Sequence, residues 1–152
     1  MRLIMSEGLA PITPMVVKGE DGKEKYRFEM ASRFTWKLTN TNGDKILSLY
    51  QEWDRCGLKP LRPCHGTLMG TKFTARWEAP VPPMYDFGAL GWKAEGDWMR
   101  RVFTLTRGNR KAGVLKRHWL RPWNYYTLDI PYPVDEKEAL TTALCIHLMK
   151  RR

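Results

Sequence analysis

Residues 135–152 read DEKEALTTALCIHLMKRR, and this stretch decides the fold of the chain. Asp135, with Glu138 three residues on, is the pattern of a helix N-cap with a capping box, and the basic residues 150–152 suit a helix C-terminus. Between them, apolar side chains cover nearly the whole helix surface instead of one stripe. A helix that is apolar all round is buried on most sides or spans a membrane.

The length of this helix favours burial within the protein. A helix over about residues 135–150 is roughly 24 Å long. Its apolar part of about 11 residues falls short of the roughly 20 that a bilayer requires. We therefore predict a helix enclosed by the segments that precede it. A helix on one face of a sheet and a membrane tail anchor are the two alternatives.

Short β-strands separated by turns are predicted for about residues 2–130. Asp21-Gly22 and Asn42-Gly43 each separate two runs rich in β-forming residues, which predicts two hairpins. About twelve such runs, at spacings of roughly 8–12 residues, are typical of a barrel or a sandwich. Residues 79–83, APVPP, are expected to form a loop between two halves of one domain, because proline does not fit a central strand or a helix.

Two segments of the chain are faintly alike. Residues 45–53 and 111–119 align without gaps, and both begin with Lys and end with Trp. Each follows a predicted strand and a glycine turn. Either two hairpins use the same local pattern, or the domain contains a duplicated half-barrel.

The composition indicates one globular domain over residues 1–152 with a basic surface. The chain is 43% hydrophobic and contains 7 Trp, enough for a sizeable core. Its net charge of +10 favours anionic partners, namely nucleic acid, anionic lipid headgroups or an acidic protein. The 3 Cys are expected to be reduced thiols in the cytoplasm, and no transmembrane segment is expected.

Several segments follow one another in the order of a known family. They are a hairpin at 17–26, a strand-turn-strand at 42–50, YDFGALGWKAEGDW at 85–98, KRHW at 116–119 and YTLDI at 126–130. Together with the terminal helix, this order resembles the LURP-one-related family of the tubby C-terminal-like group, which also holds the phospholipid scramblases. The resemblance implies a mainly β fold: a closed, twelve-stranded antiparallel barrel around a buried hydrophobic C-terminal α-helix.

No catalytic or metal-binding arrangement is found in the sequence. Zinc ligands are usually paired at short spacing, whereas Cys56 and Cys64 are far apart. Cys64 and His65 are adjacent, so a strand would point them to opposite faces. The sequence therefore predicts a protein that is not an enzyme and that has no metal or cofactor.

Basic residues are the candidate functional residues, chosen by local clustering of charge and aromatic rings. An anion-binding site is predicted from Arg100, Arg101, Arg110, Lys111, Lys116, Arg117 and Arg121. The neighbouring Trp119, Trp123 and Tyr125 fit a membrane-interface anchor, base stacking or ordinary core filling. Strand alternation would place Lys111 and Arg117 on one face, and Ala112 and Lys116 on the other.

The function that the resemblance implies is a non-enzymatic module for anionic membrane lipids or phosphoinositide headgroups, cytoplasmic and peripheral at a membrane. The alternative is a basic nucleic-acid-binding or protein-interaction scaffold with no lipid role. Lipid binding predicts a compact basic patch beside an exposed apolar side chain. Nucleic-acid binding predicts a longer basic track with surface aromatics.

Overall fold

The computed structural model describes residues 1–6, 14–52, 63–80, 83–97, 101–120 and 123–149. Within these ranges, twelve antiparallel strands close into a barrel, and an α-helix follows them. The strands are β1 (Arg2–Ser6), β2 (Met15–Lys18), β3 (Glu24–Ser32), β4 (Thr35–Asn40), β5 (Lys45–Gln51), β6 (Cys64–Leu68), β7 (Thr71–Pro80), β8 (Pro83–Asp86), β9 (Trp92–Asp97), β10 (Val102–Arg107), β11 (Arg110–Leu120) and β12 (Trp123–Asp129). The helix is α1 (Glu136–Met149), and a 3₁₀ turn at Pro133–Asp135 leads into it.

Each strand pairs with its neighbours in chain order, and β1 closes the barrel against β12. Closure leaves no strand edge unpaired. Because successive strands run in opposite directions, their connections alternate between the two ends of the barrel. We call the end where α1 begins the lower end, and the end where α1 finishes the upper end.

The helix lies within the core, as its apolar surface predicts. Ten of its residues are buried: Ala139, Leu140, Thr141, Thr142, Ala143, Leu144, Cys145, Ile146, Leu148 and Met149. Both threonine hydroxyls donate 2.7 Å hydrogen bonds to carbonyls of the helix itself, Thr141 to Lys137 and Thr142 to Ala139. The hydroxyls are thereby satisfied without polar partners from the barrel.

The prediction that residues 79–83 form a loop between two halves of the domain is wrong. Instead, β7 and β8 form a tight hairpin in which Ala79 pairs with Met84, and Pro80 with Pro83. The pairing register shifts between Trp77 and Ala79, so a bulge precedes the prolines. Proline is tolerated where the strand ladder is already interrupted or ends, because it has no N–H to contribute there.

The two similar segments form corresponding parts of the barrel. β5 and β11 are six positions apart in the ring of twelve strands, so they lie on opposite sides. Each contains one extra residue where it pairs with the preceding strand, Ile46 in β5 and Ala112 in β11. These two residues are aligned in the sequence comparison, and both are buried. A shared bulge at aligned positions favours the duplicated half-barrel.

Candidate functional site

The predicted anion-binding residues on β11 are separated along the strand. Arg110 and Lys111 lie at the lower end, and Arg117 lies roughly 23 Å further along the strand at about 3.3 Å per residue. Lys116 is exposed on the outer face, whereas Arg117 is half-buried and its guanidinium lies 5.9 Å from the ring centre of Tyr126. These four residues therefore do not form one patch.

Of the remaining predicted residues, the structure describes only Arg101. Arg101 is exposed and has a left-handed φ of 57°. Its carbonyl accepts a 3.1 Å hydrogen bond from the backbone N–H of Arg117, which places it near the upper end. Arg100 and Arg121 lie outside the described residues.

The expected alternation of faces along β11 fails near the start of the strand. Lys111 is exposed and Ala112 is buried, opposite to the faces that strict alternation from Lys116 and Arg117 requires. The cause is the bulge at Ala112, since Leu105 pairs with Gly113 and Thr106 with Lys111. One inserted residue reverses every side chain before it. The bulge therefore turns Lys111 toward solvent.

A buried carboxylate organises the lower end. Asp135 has no exposed surface, and it accepts hydrogen bonds from Arg107 Nη1 (2.9 Å) and Arg110 Nη2 (2.7 Å). The side chains of the two arginines are 44% and 43% exposed. The arginines therefore hold the start of the helix against the β10–β11 turn and still face solvent with part of their surface.

Two further acids of the first helical turn bind barrel side chains. Glu136 accepts hydrogen bonds from Lys25 and from the hydroxyl of Tyr26. Glu138 accepts a 2.7 Å hydrogen bond from the indole N–H of Trp92. Burial, with the neighbouring Glu136 charge, raises the pKa of the Tyr26 hydroxyl. The sequence predicted a capping box that uses Glu138, whereas the contacts described for these two carboxylates are with side chains of the barrel.

Exposed apolar side chains lie beside these cations. Val134 is 84% exposed and Tyr132 is 45% exposed, although both directly precede a buried helix. The guanidinium carbon of Arg110 lies 4.4 Å from the centre of the Tyr132 ring, within cation–π range. We call the surface formed by Arg107, Arg110, Lys111, Tyr132 and Val134 the lower rim.

The lower rim borders an open depression of about 660 Å³. Lys111 and Pro131 line it together with Arg2, Asp129 and Glu20. Arg2 is paired with Asp129 at 2.7 Å, so the floor of the depression is close to neutral. Of the rim cations, Arg107 and Arg110 pair with Asp135, and Arg107 also lies 3.5 Å from Glu138. Among the described residues of the rim, Lys111 is therefore the cation whose charge is most available to a partner.

Sequence reasoning missed three members of the lower rim: Arg107, Tyr132 and Val134. The stretch PYPV at 131–134 contains a signal that could have found two of them. Its prolines exclude a strand or a helix interior, so its apolar side chains had no regular element to bury them. Arg107 stands in a basic cluster with Arg110 and Lys111, but sequence spacing does not indicate its partner Asp135, which is 28 residues away.

A second cluster lies on the outer face of β11 and β12. The imidazole of His118 stacks on Tyr125 at 4.5 Å between ring centres, and its Nε2 lies 2.9 Å from the Thr127 hydroxyl. Burial, then the charges of Lys116 and Arg2, lower the pKa of His118, and Asp129 opposes them. Tyr125 therefore packs against a histidine beside Lys116.

Of the cysteines weighed as metal ligands, Cys64 is buried, and Cys56 lies outside the described residues. Cys64 and Cys145 are fully buried thiols that form no disulfide, and burial raises the pKa of Cys145 well above its ordinary value. His147 at the upper end lies 3.0 Å from the Tyr126 hydroxyl through its Nδ1. Across the described ranges, no three His, Cys, Asp or Glu side chains come together as a metal site.

The class that the structure defines is a closed twelve-stranded antiparallel barrel with a central C-terminal helix. No protein-family model matches the chain. The chain is similar to the uncharacterized protein YxjI of Bacillus subtilis (strain 168), with 26% identity over 136 residues that cover 84% of this chain and 80% of that protein.

The fold is similar to that of a plant protein. The X-ray structure of the Arabidopsis thaliana protein AT5G01750 matches with a TM-score of 0.63 and covers 98% of this chain and 92% of that one, at 10% sequence identity. This likeness shows the fold. In the part of the chain that is described, no helix is both long and apolar enough to cross a membrane.

Proposed function

We propose that this protein is a non-enzymatic module that binds the anionic surface of a membrane through its lower rim. One observation carries the proposal: Tyr132, 45% exposed, lies against the cation Arg110, and Val134, 84% exposed, directly precedes the aspartate that binds Arg107 and Arg110. An exposed apolar residue enters the headgroup region of a bilayer, while adjacent cations attract anionic headgroups. Tyrosine is enriched at this depth of a membrane.

The lower rim fits lipid binding better than nucleic-acid binding. It is compact, because its cations lie on the β10–β11 turn and its apolar residues on the single segment that precedes α1. Lys111 has no ion pair within the described ranges, so its charge is available to a headgroup. A nucleic-acid surface needs a longer track of cations to follow a phosphate backbone.

We also propose that the chain belongs to the LURP-one-related family of the tubby C-terminal-like group. The barrel, its central helix and the order of the sequence segments support this assignment. Residues 85–97 of the family-like segment form the end of β8, a short 3₁₀ turn and β9, with Gly88 starting the turn and Gly91 following it. Buried thiols outside any disulfide and a cation surface suit the cytoplasmic leaflet, where anionic lipids are concentrated.

The test is binding to vesicles of phosphatidylcholine, with and without phosphatidylserine, at physiological salt. Lys111→Gln is expected to weaken binding to the anionic vesicles about fivefold, since one cation near such a surface contributes about 1 kcal/mol. Val134→Ser is expected to weaken binding about tenfold, because it loses the burial of an apolar side chain.

Matched control variants separate the lower rim from the net charge. Lys116→Gln removes the same charge from the outer face, and Met30→Ser removes an apolar side chain that is 41% exposed on β3. Neither is expected to change vesicle binding. Equal losses in Lys111→Gln and Lys116→Gln, or displacement of the protein from vesicles by a single-stranded oligonucleotide, would reject the proposal.

A further inference from the structure

A groove crosses the outer face of β4 to β7, away from the lower rim. It has a volume of about 640 Å³, within the range of roughly 300–1,000 Å³ that small-molecule sites occupy. Gly88 and Ala89, from the 3₁₀ turn that follows β8, form its wall. The groove is therefore concave, although it lies on the outside of a barrel.

Strand register places two rows of side chains side by side in this groove. Thr35, Tyr50, His65 and Thr74 pair across β4, β5, β6 and β7 to form the first row. Ser48, Thr67 and Lys72 form the second row, two residues further along the strands. All seven line the groove. They combine two rings, four aliphatic hydroxyls and one cation.

The first row offers a fixed aromatic surface. Tyr50 is 46% exposed, and its ring stacks on that of His65, with 6.3 Å between centres and planes 25° apart. His65 is held from both sides, by Glu52 at 2.7 Å from Nε2 and by Thr74 at 3.1 Å from Nδ1. An ionised carboxylate only accepts, so Nε2 carries a proton. Tyr50 therefore lies against a ring that two hydrogen bonds hold in place.

The second row offers an anion-binding end. Lys72 is exposed and has no ion pair within the described ranges, and the Thr67 hydroxyl is its cross-strand neighbour. Tyr50 and Lys72 are two strands and two residues apart, a backbone separation of roughly 12 Å at ordinary sheet spacings. Ring, sugar and phosphate of a nucleotide span this distance once the lysine side chain extends toward the phosphate.

We infer that this groove binds a small ligand that joins a planar ring to an anionic group, with the dimensions of a nucleoside monophosphate. The ring stacks on Tyr50, the sugar lies over the central hydroxyls, and the phosphate pairs with Lys72. Base stacking on an aromatic side chain tolerates different bases. The groove therefore selects for the class of ligand more than for one base.

The test is titration of the whole chain by calorimetry with adenosine 5′-monophosphate, adenosine and ribose 5-phosphate as probes. The monophosphate is expected to bind more tightly than either part. Tyr50→Ala should weaken the binding of the monophosphate and of adenosine by a similar factor of about five or more. Lys72→Gln should weaken the binding of the monophosphate about fivefold and leave the affinity for adenosine unchanged. Ala89→Trp, which fills the groove from its exposed wall, should abolish binding of all three.

Lys18→Gln is the control for charge, because Lys18 is exposed on β2 outside the groove. An equal loss in Lys18→Gln and Lys72→Gln would show attraction to net charge alone and overturn the inference. So would binding of a single-stranded oligonucleotide without binding of the mononucleotide, or no heat with any probe. Urea unfolding of each variant establishes that it is folded. Lys111→Gln should leave these affinities unchanged, so this inference and the membrane proposal fail separately.

Discussion

Asp135 shows how one residue can hold the helix and shape the surface. Its carboxylate is fully buried between Arg107 and Arg110. Asp135→Ala would leave two guanidinium groups without their shared acceptor. Breaking a buried pair costs about 3–5 kcal/mol. Because both arginines can turn to water, we expect the smallest value of this range, a loss of about 3 kcal/mol in the free energy of unfolding.

Urea unfolding checks this expectation against an exposed ion pair. Arg27 pairs with Glu24 at 3.0 Å on the surface, where the two side chains are 49% and 39% exposed. Such pairs contribute little to stability, so Arg27→Ala should leave the unfolding midpoint nearly unchanged. A similar shift in both variants would mean that burial of Asp135 adds nothing.

His118 gives a prediction about pH at the same scale. Because its folded pKa lies below the ordinary 6.5, the unfolded chain binds a proton first as the pH falls. Its stability contribution is therefore complete above pH 6.5 and is lost as the pH falls toward the folded pKa. Proton NMR of the imidazole should report a pKa below 6.5 that rises in Lys116→Gln and falls further in Asp129→Asn. An unchanged pKa of His118 in both variants would contradict the influence of the Lys116 and Asp129 charges.

At the scale of elements, Gly66 shows how tightly the strands pack inside the barrel. A Cβ at this position would lie 2.4 Å from Cζ of Phe73 and 2.8 Å from Cδ2 of Leu49, two buried side chains. Overpacking of this kind costs about 1–3 kcal/mol, so Gly66→Ala should destabilise the protein by that amount. Phe73→Leu costs stability alone but should restore part of it in the double variant. Denaturant unfolding of the two single variants and the double variant measures this coupling. If the losses in free energy of unfolding simply add, the side chain at position 66 does not contact Phe73.

The elements were largely predictable because local signals and long-range packing agree. The length and all-round apolar surface of the stretch at 135–152 favoured an enclosed helix over its two alternatives, and α1 (Glu136–Met149) is that helix. Asp21-Gly22 predicted a hairpin, and β2 and β3 pair across it. The hairpin at 79–84 was not predictable in the same way. Whether prolines end two paired strands or form a loop depends on the bulge after Trp77, which is a property of the pairing and not of the local sequence.

At the scale of the whole molecule, the candidate sites depend on contacts that sequence spacing does not encode. The charge of Arg110 could be read from the sequence, but its partner Asp135 is 25 residues away. The groove draws its members from four strands, and only barrel register brings Tyr50 near Lys72. A local cluster of charges such as 116–121 therefore identified basic residues without identifying which of them share a surface.

The enclosed helix also predicts how the molecule unfolds. Strands surround α1, so the helix cannot leave without exposing the barrel interior to water, and barrel and helix should unfold in one transition. Leu144 is fully buried in the middle of α1, and Leu144→Ala should cost about 3 kcal/mol through lost packing and the cavity left behind. In urea, far-UV circular dichroism and tryptophan fluorescence should shift to the same lower midpoint, while Met30→Ala at an exposed site leaves it unchanged. If the helical signal is lost at a lower urea concentration than the fluorescence signal, the helix can leave a barrel that stays closed, and its burial would be an equilibrium instead of a fixed part of the fold.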